Sequence, residues 1–102
     1  MKAIEQVLPA EAGWKEHSNT FSCRAVFYRD DKNGFTVVAR NLVGVVSEGE
    51  TIEEATVNIK EAFAGAIQSY AACQLPIPWG DVIEKYGTKF EVEKHFLVVI
   101  DG

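Results

Sequence analysis

Residues 51–70 read TIEEATVNIKEAFAGAIQSY, and they carry the strongest structural signal in the chain. The stretch opens as a capping box, in which the Thr51 hydroxyl accepts a hydrogen bond from the third helical amide and Glu54 reaches back. Glu53 and Glu54 also lie at the positive end of the helix dipole. The apolar residues that follow recur at spacings of three and four, which places them on one helix face: Ile52, Ala55, Ile59, Ala62, Phe63, Ala66, Ile67 and Tyr70. The sequence therefore predicts one long amphipathic helix that ends at about Ala72 or Cys73.

Three strands are predicted before this helix. Residues 21–28 alternate between an apolar face and a more polar face, with the period of two that is typical of a strand. Residues 30–34 read DDKNG, and the Asn-Gly pair supplies the positive φ angles that a tight hairpin turn needs. Residues 35–40 resume as a strand rich in β-branched side chains, so the first two strands are expected to form an antiparallel hairpin. Residues 45–47 predict a short third strand.

The residues after the helix complete the predicted order of elements. Residues 75–80 read LPIPWG and cannot continue the helix, because each proline lacks a backbone donor. One helical turn is predicted over 81–86 and a last strand over 89–100. The order β-β-β-α-β indicates an α+β domain with a mixed four-stranded sheet and one long covering helix. The second sheet face is expected to be open unless the N-terminal extension, the proline segment or another chain covers it, which favours self-association.

Length and composition indicate a single soluble domain. The chain has 102 residues, of which 47% are hydrophobic and 25% charged, and this is ordinary usage for a globular protein. We predict an N-terminal extension over residues 1–18 and one folded domain over residues 19–102. The longest apolar run, residues 96–100, is far shorter than the roughly 20 residues of a membrane-spanning helix. No signal-peptide pattern follows Met1, so a cytoplasmic location is expected.

The charge balance and the cysteines narrow the classes of partner. Ten Lys and Arg oppose fifteen Asp and Glu, which gives a net charge of −5. Nucleic-acid binders gain affinity from clustered cations, and the basic residues are scattered here, so a basic protein partner is favoured over bulk DNA or RNA. Cys23 and Cys73 lie too far apart in sequence to form a zinc-type pair. Two reduced thiols that pack as small hydrophobic side chains are favoured over a disulfide between them.

Several short motifs between residues 28 and 79 follow a recognisable order. They read YRDDKNGF at 28–35, NLVG at 41–44, GETIEEA at 49–55 and LPIP at 75–78. In this order and spacing the chain resembles the HicB-type antitoxin family. The positions that match the family pattern, and to which the resemblance assigns structural roles, are Gly34, Gly44, Gly49, Thr51, Glu54 and Ala55.

The resemblance implies a fold, a function and a partner. It implies a partial ribonuclease-H-like fold and an antitoxin that blocks HicA, a small basic toxin that cleaves messenger RNA. It also implies oligomerisation, usually through dimers. The chain departs from the family at Ala39, Val43 and Val45, where members often carry a proline and a Cys or Ala. A C-terminal DNA-binding module is also missing from the sequence, so we expect a stand-alone HicB-like domain.

Two groups of residues are candidates for partner contacts. Glu48, Glu50 and Glu53 form an acidic run that could meet a basic partner and speed its encounter. The alternative is that these glutamates only complement the helix dipole and face solvent. Trp79 follows two prolines and could anchor a partner, because tryptophan is over-represented at binding hot spots. The alternative is that Trp79 closes the end of the core.

Catalysis is not expected from this sequence, and neither is a metal or cofactor. A nuclease of the ribonuclease-H-like type needs an acid in the middle of its first strand, and residues 23–26 read CRAV. Ser18 directly follows His17 and His95 has no Ser or Cys beside it, and neither arrangement suggests a nucleophile–base pair. The leading hypothesis is thus a non-catalytic protein-binding antitoxin. The alternatives are an orphan oligomeric scaffold and a single-stranded RNA binder that stacks bases on Phe35 and Tyr28.

Overall fold

The computed structural model of the chain describes residues 20–100. The elements in chain order are β1 Thr20–Arg29, β2 Phe35–Ala39, β3 Val46–Gly49, α1 Ile52–Ala72, α2 Ile83–Tyr86 and β4 Val92–Val99. The strands form one sheet in the order β3-β2-β1-β4, so β3 and β4 are its two edges. The α+β class and the predicted order of elements are confirmed. The predicted N-terminal extension over residues 1–18, with His17, lies outside the described residues.

The prediction of a mixed sheet is wrong, because every pair of neighbouring strands is antiparallel. The helix α1 starts beside the end of β1 and finishes beside the start of β1, where Trp79 stacks on Phe21. A strand that entered the sheet directly from there would run parallel to β1. Instead, residues 75–91 carry the chain back along the sheet, so that Val92 pairs with Phe27. The strand β4 therefore runs antiparallel to β1.

The start of α1 follows the predicted capping pattern with one shift. The Thr51 hydroxyl accepts a hydrogen bond from the Glu54 amide at 3.0 Å. The Glu54 carboxylate accepts one from the Glu50 amide at 2.7 Å, which is one residue ahead of the cap. These bonds hold the passage from β3 into the helix, and α1 ends at Ala72, within the predicted range, with Cys73 as its C-cap.

The hydrophobic core lies between α1 and one face of the sheet. The helix contributes four buried residues at spacings of four: Ala55, Ile59, Phe63 and Ile67. They pack on a buried cluster from the strands: Cys23, Ala25, Phe27, Phe35, Val37, Ala39 and Val98. Burial of one large apolar side chain stabilises a fold by about 1.5–3 kcal/mol relative to its exposure. This layer is therefore the main source of stability.

Two of the glycines in the family motifs are required by the local geometry. A Cβ atom on Gly49 would collide with the backbone of Ala55, so only glycine lets β3 approach α1 this closely. Gly44 has a φ angle of +86°, a conformation that other residues rarely adopt. In the hairpin turn Asn33 has a φ angle of 67°, whereas Gly34 is not in the positive region. The expectation that Asn-Gly supplies the positive φ angles is thus confirmed for Asn33 only.

The second face of the sheet is partly covered by residues 80–91. Val26 and Val38 lie on this face, opposite the helix, and both are buried. The Tyr28 hydroxyl donates a hydrogen bond to the Gly87 carbonyl oxygen at 2.6 Å, which ties the covering segment to β1. The continuation of the proline segment therefore covers one half of the predicted open face.

Asn41 continues the sheet beyond the end of β2. Its side-chain oxygen accepts a hydrogen bond from the Arg24 amide at 3.1 Å, and its nitrogen donates one to the Ser22 carbonyl oxygen at 2.9 Å. An amide side chain thereby takes the place of a backbone peptide group beside β1. Backbone groups of β1 that β2 is too short to reach are satisfied in this way.

Candidate protein-interaction site

A concavity of about 720 Å³ lies where the β1–β2 turn, β3 and the start of α1 meet. Its lining is polar and includes four carboxylates and one lysine: Asp30, Lys32, Asn33, Gly34, Glu48, Gly49, Glu50, Glu54 and Asn58. We call it the acidic concavity. Its excess of negative charge suits a cationic ligand.

Hydrogen bonds between side chains and the backbone hold the walls of the acidic concavity. The Asp30 carboxylate accepts hydrogen bonds from the amides of Lys32 and Gly34, both at 2.8 Å, and so shapes the turn. The Asn58 side chain donates to the Glu48 carbonyl oxygen at 2.7 Å, which joins α1 to β3. The site is therefore pre-organised, and partner binding has less conformational entropy to lose.

Glu48 and Glu50 are the carboxylates of the acidic concavity that remain available. Both residues are exposed, and within residues 20–100 no ion pair joins either of them to a cation. Asp30 and Glu54, in contrast, are already engaged with backbone amides. A basic partner thus meets two unpaired charges on a fixed support.

The four predicted contact residues fall into two separate places. Glu48 and Glu50 line the acidic concavity, and Glu53 is exposed in the first turn of α1 beside it. Trp79 lies near the opposite end of the sheet, against Phe21. Phe21 is about 26 Å along β1 from Arg29, the end of the strand beside the acidic concavity, at about 3.3 Å per residue. A single small contact surface does not include all four residues, and their role in binding stays a prediction.

Both interpretations of Trp79 describe part of its environment. Its ring stacks on Phe21 with ring centroids 6.3 Å apart and lies 6.1 Å from the ring of Phe63. Its backbone forms an isolated β-bridge with Leu42. The side chain closes the end of the core, yet 47% of its surface is exposed. The exposed fraction leaves an aromatic contact surface that is separate from the acidic concavity.

Two residues of the acidic concavity were missed by the sequence analysis. The sequence pattern places Asp30 only in the hairpin turn and gives Asn58 no role. Both line the acidic concavity, where Gly49 lets β3 and α1 come close. A local pattern cannot report this contact, since it depends on tertiary packing.

A second cluster of charges lies on the covered half of the other sheet face. Glu93 accepts from Arg40 at 2.9 Å and from Arg24 at 3.3 Å, and it is 3.0 Å from His95. Arg40 also binds Asp81 at 3.1 Å. Partial burial raises the pKa of Glu93, but the hydrogen bond with His95 and the charges of Arg40 and Arg24 outweigh it and leave this pKa below its ordinary value.

This Glu93 cluster has a structural role. The hydrogen bond from Arg40, helped by one from the Ile83 amide, lowers the pKa of Asp81. Arg40 therefore ties the covering segment at Asp81 to β4 at Glu93. The structure places His95 on the surface, as predicted, but gives it a partner in Glu93.

The structure shows the surroundings of the two cysteines and of the aromatic residues that were candidates for stacking on RNA bases. Cys23 is buried and Cys73 is exposed, and both are free. The favoured interpretation of two free thiols holds, although only Cys23 packs as a hydrophobic side chain. Phe35 is buried beneath the Arg29 guanidinium, and Tyr28 meets Phe90 edge-on. The prediction that Phe35 and Tyr28 stack on bases is therefore wrong for Phe35, whose ring is covered.

Metal-binding clusters and membrane-spanning helices are both absent from the described part of the chain. Residues 20–100 contain no cluster of three or more His, Cys, Asp or Glu that could hold a metal ion. Neither of the two helices there is long and apolar enough to span a bilayer.

Comparison with known proteins gives one family and several similar structures. The family model described as HicB_like antitoxin of bacterial toxin-antitoxin system matches residues 24–101. No curated protein matches the sequence significantly. The N-terminal domain of the antitoxin HicB from Burkholderia pseudomallei is 21% identical, with a TM-score of 0.55 over 79% of this chain and 99% of that domain.

Two further structures share the fold. The longer B. pseudomallei antitoxin HicB is 24% identical with a TM-score of 0.56, and the match covers 79% of this chain and 64% of that one. A chain of a HicA3 and HicB3 toxin-antitoxin complex is 18% identical with a TM-score of 0.54, and the match covers 80% of this chain and 100% of that one. At these identities the structural likeness establishes the fold, and the family model establishes the family. The chain belongs to the HicB-like antitoxin family of bacterial toxin–antitoxin systems.

Proposed function

We propose that this domain neutralises a small basic toxin of the HicA type by binding it at the acidic concavity. The observation that carries the proposal is the pair of exposed carboxylates of Glu48 and Glu50, which form no ion pair within residues 20–100 and lie on a wall held by side-chain hydrogen bonds to the backbone. A structural neighbour comes from a complex of HicA3 with HicB3, which supports a partner of this class. Binding would cover the surface that such a toxin presents to RNA.

Electrostatics would contribute mainly to the rate and selectivity of encounter. Complementary charges steer association, and the steering weakens as salt screens charges beyond about 8 Å at physiological ionic strength. The concavity, at about 720 Å³, has room for more than one long cationic side chain. Arginine is the best-suited ligand because its planar guanidinium binds a carboxylate through two parallel hydrogen bonds.

We propose a binding role without catalysis. The middle of β1 faces the helix with Cys23 and Ala25, and both are fully buried. Burial raises the pKa of the Cys23 thiol to about 12, so the reactive thiolate is scarce at neutral pH. The position where a nuclease of related fold carries an acid is thus occupied by packing residues.

The test is a calorimetric titration of a purified HicA-type toxin from the same host into this chain. The double variant Glu48→Lys/Glu50→Lys should bind at least tenfold more weakly, because two attractive charges become repulsive. The matched control is Glu61→Lys/Glu84→Lys, which changes the net charge equally at exposed sites outside the concavity.

The control separates a local effect from one of overall charge. Both variants should keep the thermal melt of the parent protein, as followed by circular dichroism. Equal toxin binding by the two double variants would reject the acidic concavity as the site. No binding of any HicA-type toxin by the parent chain would reject the proposed function.

A second candidate function is an oligomeric scaffold without a toxin. The exposed apolar edge of β4 favours it, with Leu97 and Val99 both open to solvent. A chain that forms a defined oligomer and binds no HicA-type toxin would support this candidate over the first.

A further inference from the structure

The strand β4 presents an unpaired backbone edge that is longer than the opposite edge of the sheet. It spans eight residues and pairs on one side with β1, while β3 spans four. The direction of its backbone groups follows from β1. The Arg40 amide donates to the Arg24 carbonyl oxygen at 2.6 Å, and Asn41 donates to the Ser22 carbonyl oxygen at 2.9 Å. Even-numbered residues at this end of β1 therefore point their backbone groups toward β2.

Odd-numbered residues of β1 consequently point their backbone groups toward β4. Cys23 lies opposite Phe96, so Phe96 points its backbone groups back at β1. Alternation then directs the amides and carbonyls of the next residues outward: His95, Leu97 and Val99. Within the described residues these groups face no further strand, since β4 is an edge.

The side chains of the second half of β4 lack the usual protection of an edge strand. Natural edges are protected by charges, proline, bulges or short length. Lys94 and His95 protect the first half, whereas residues 96–100 are apolar on both faces. Leu97 is 71% exposed and Val99 is 59% exposed on the face opposite the helix. Such an edge favours the addition of another strand.

We infer that a second copy of this chain pairs antiparallel with β4 about a two-fold axis at Leu97, joining the two four-stranded sheets into one. This axis places Leu97 opposite Leu97 of the second copy in a hydrogen-bonded pair, with Phe96 opposite Val98. The central pairs are then apolar on both sides of the joined sheet, and Val99 lies opposite the partner's His95. The inference does not depend on the proposed toxin binding.

The distribution of charge explains why a second copy is the favoured occupant. From Lys89 to Val99 the formal charges cancel, because Lys89 and Lys94 balance Glu91 and Glu93. The excess negative charge lies instead at the acidic concavity beside β3. Three strand spacings of about 4.8 Å separate β3 from β4, which exceeds the Debye length of about 8 Å at physiological salt. Two copies can therefore meet at β4 with little repulsion.

The test uses light scattering on the full chain at micromolar concentration. The parent protein should show twice the 11.3 kDa mass of one chain. The variant Leu97→Lys/Val99→Lys should show the single-chain mass, because it places like charges across the axis. The matched control is Val46→Lys, an exposed valine on the same face of the other edge strand, which should keep the double mass.

A disulfide experiment tests the register of the paired strands independently of the light-scattering result. In a Cys73→Ser background, Leu97→Cys should cross-link on mild oxidation, since the Cα atoms of a hydrogen-bonded pair lie about 5.5 Å apart. Val57→Cys, on the exposed side of α1, should not cross-link. Cys23 is buried and should not interfere.

Three results would overturn the inference. The first is a parent chain with single-chain mass at micromolar concentration. The second is a dimer that Leu97→Lys/Val99→Lys does not weaken, or that Val46→Lys weakens equally. The third is a Leu97→Lys/Val99→Lys protein that loses toxin binding together with the dimer, which would assign β4 to the toxin as well.

Discussion

The two edges of the sheet have the same kind of unpaired backbone but opposite side-chain chemistry. The β3 edge is short, and it continues into the acidic concavity with Glu48 and Glu50 exposed. The β4 edge is twice as long, carries balancing charges in its first half, and exposes Leu97 and Val99 in its second. Charge keeps another strand from the first edge and favours a basic partner there, whereas the second edge is suited to pairing. Side chains, rather than the backbone ladder, thus assign each edge its proposed partner.

The largest expected effect comes from disrupting the packing of the β3 edge against α1. Gly49→Ala places a Cβ atom against the backbone of Ala55 and Glu54, which cannot yield as a flexible side chain would. We expect the free energy of unfolding to fall by about 3 kcal/mol or more, at the upper end for overpacked sites. Urea unfolding measures this free energy.

Gly65→Ala is the matched control for this prediction. A Cβ atom at Gly65 meets nothing within 4 Å, and the helix interior favours alanine over glycine by up to about 1 kcal/mol. This variant should be at least as stable as the parent. A Gly49→Ala protein as stable as Gly65→Ala would show that β3 and α1 do not need this close approach.

The next largest effect concerns the support that β1 gives to the β4 edge. Asn41→Ala removes both hydrogen bonds that satisfy the backbone of β1 at Ser22 and Arg24. Ser22 lies opposite Leu97, so this change loosens the part of β1 that supports the exposed run of β4. We expect a loss of about 1–2 kcal/mol in the free energy of unfolding, because one part-buried and one exposed hydrogen bond are removed together.

Hydrogen exchange of the β1 amides would locate this loss. The control is Asn58→Ala, which removes one exposed hydrogen bond to the Glu48 carbonyl oxygen and should cost about 1 kcal/mol. If both variants lose the same stability and β1 exchange is unchanged, Asn41 does not act as a substitute for a strand.

The pH dependence of stability tests the charged first half of β4, which contains Glu93. The pKa values of Glu93 and Asp81 lie below their ordinary values of 4.5 and 3.8 in the folded chain. The stability that they contribute is therefore present above those ordinary values and is lost as the pH falls through the lowered ones. The free energy of unfolding should fall from about pH 5 downward.

Glu93→Gln tests which group is responsible for this fall. It should flatten the loss of stability at acidic pH and lower the stability at pH 6 by about 1–2 kcal/mol, since Arg24 and Arg40 lose a charged acceptor. Glu61→Gln, at an exposed helix site, should leave the pH profile unchanged. An identical profile for both variants would remove Glu93 from the explanation.

The smallest effect concerns the helix cap beside the acidic concavity. Thr51→Ala deletes the acceptor for the Glu54 amide and should lower the free energy of unfolding by about 1 kcal/mol. Ser69→Ala, at an exposed position within α1, should lose nothing. If the Thr51→Ala and Ser69→Ala proteins melt at the same temperature, the cap contributes little.

The elements of this fold follow from local chemistry in the sequence. The cap at Thr51, the helical spacing of apolar residues and the alternation in β1 predicted the helix and the strands close to where they lie. The direction of β4 did not follow, because it depends on residues 75–91 crossing the second face of the sheet. Bonds such as that from Tyr28 to Gly87 hold that segment, and they join residues far apart in the chain.

The candidate site was predictable only in part, for a similar reason. Glu48 and Glu50 lie within a few residues of the helix start, so their shared location follows from sequence proximity. Asp30 and Asn58 join them through the approach of β3 to α1 at Gly49. Trp79 ended near the other end of the sheet because α1, with 21 residues, carries the chain along the length of β1 before the prolines.

Light scattering of this chain with a HicA-type toxin most directly tests the assignment of different partners to the two edges. The variant Glu48→Lys/Glu50→Lys should keep the dimer mass and lose the toxin. The variant Leu97→Lys/Val99→Lys should keep the toxin in a complex that contains a single copy of this chain. Loss of both the dimer and the toxin in either variant would contradict the assignment, because it would show that one surface serves both partners.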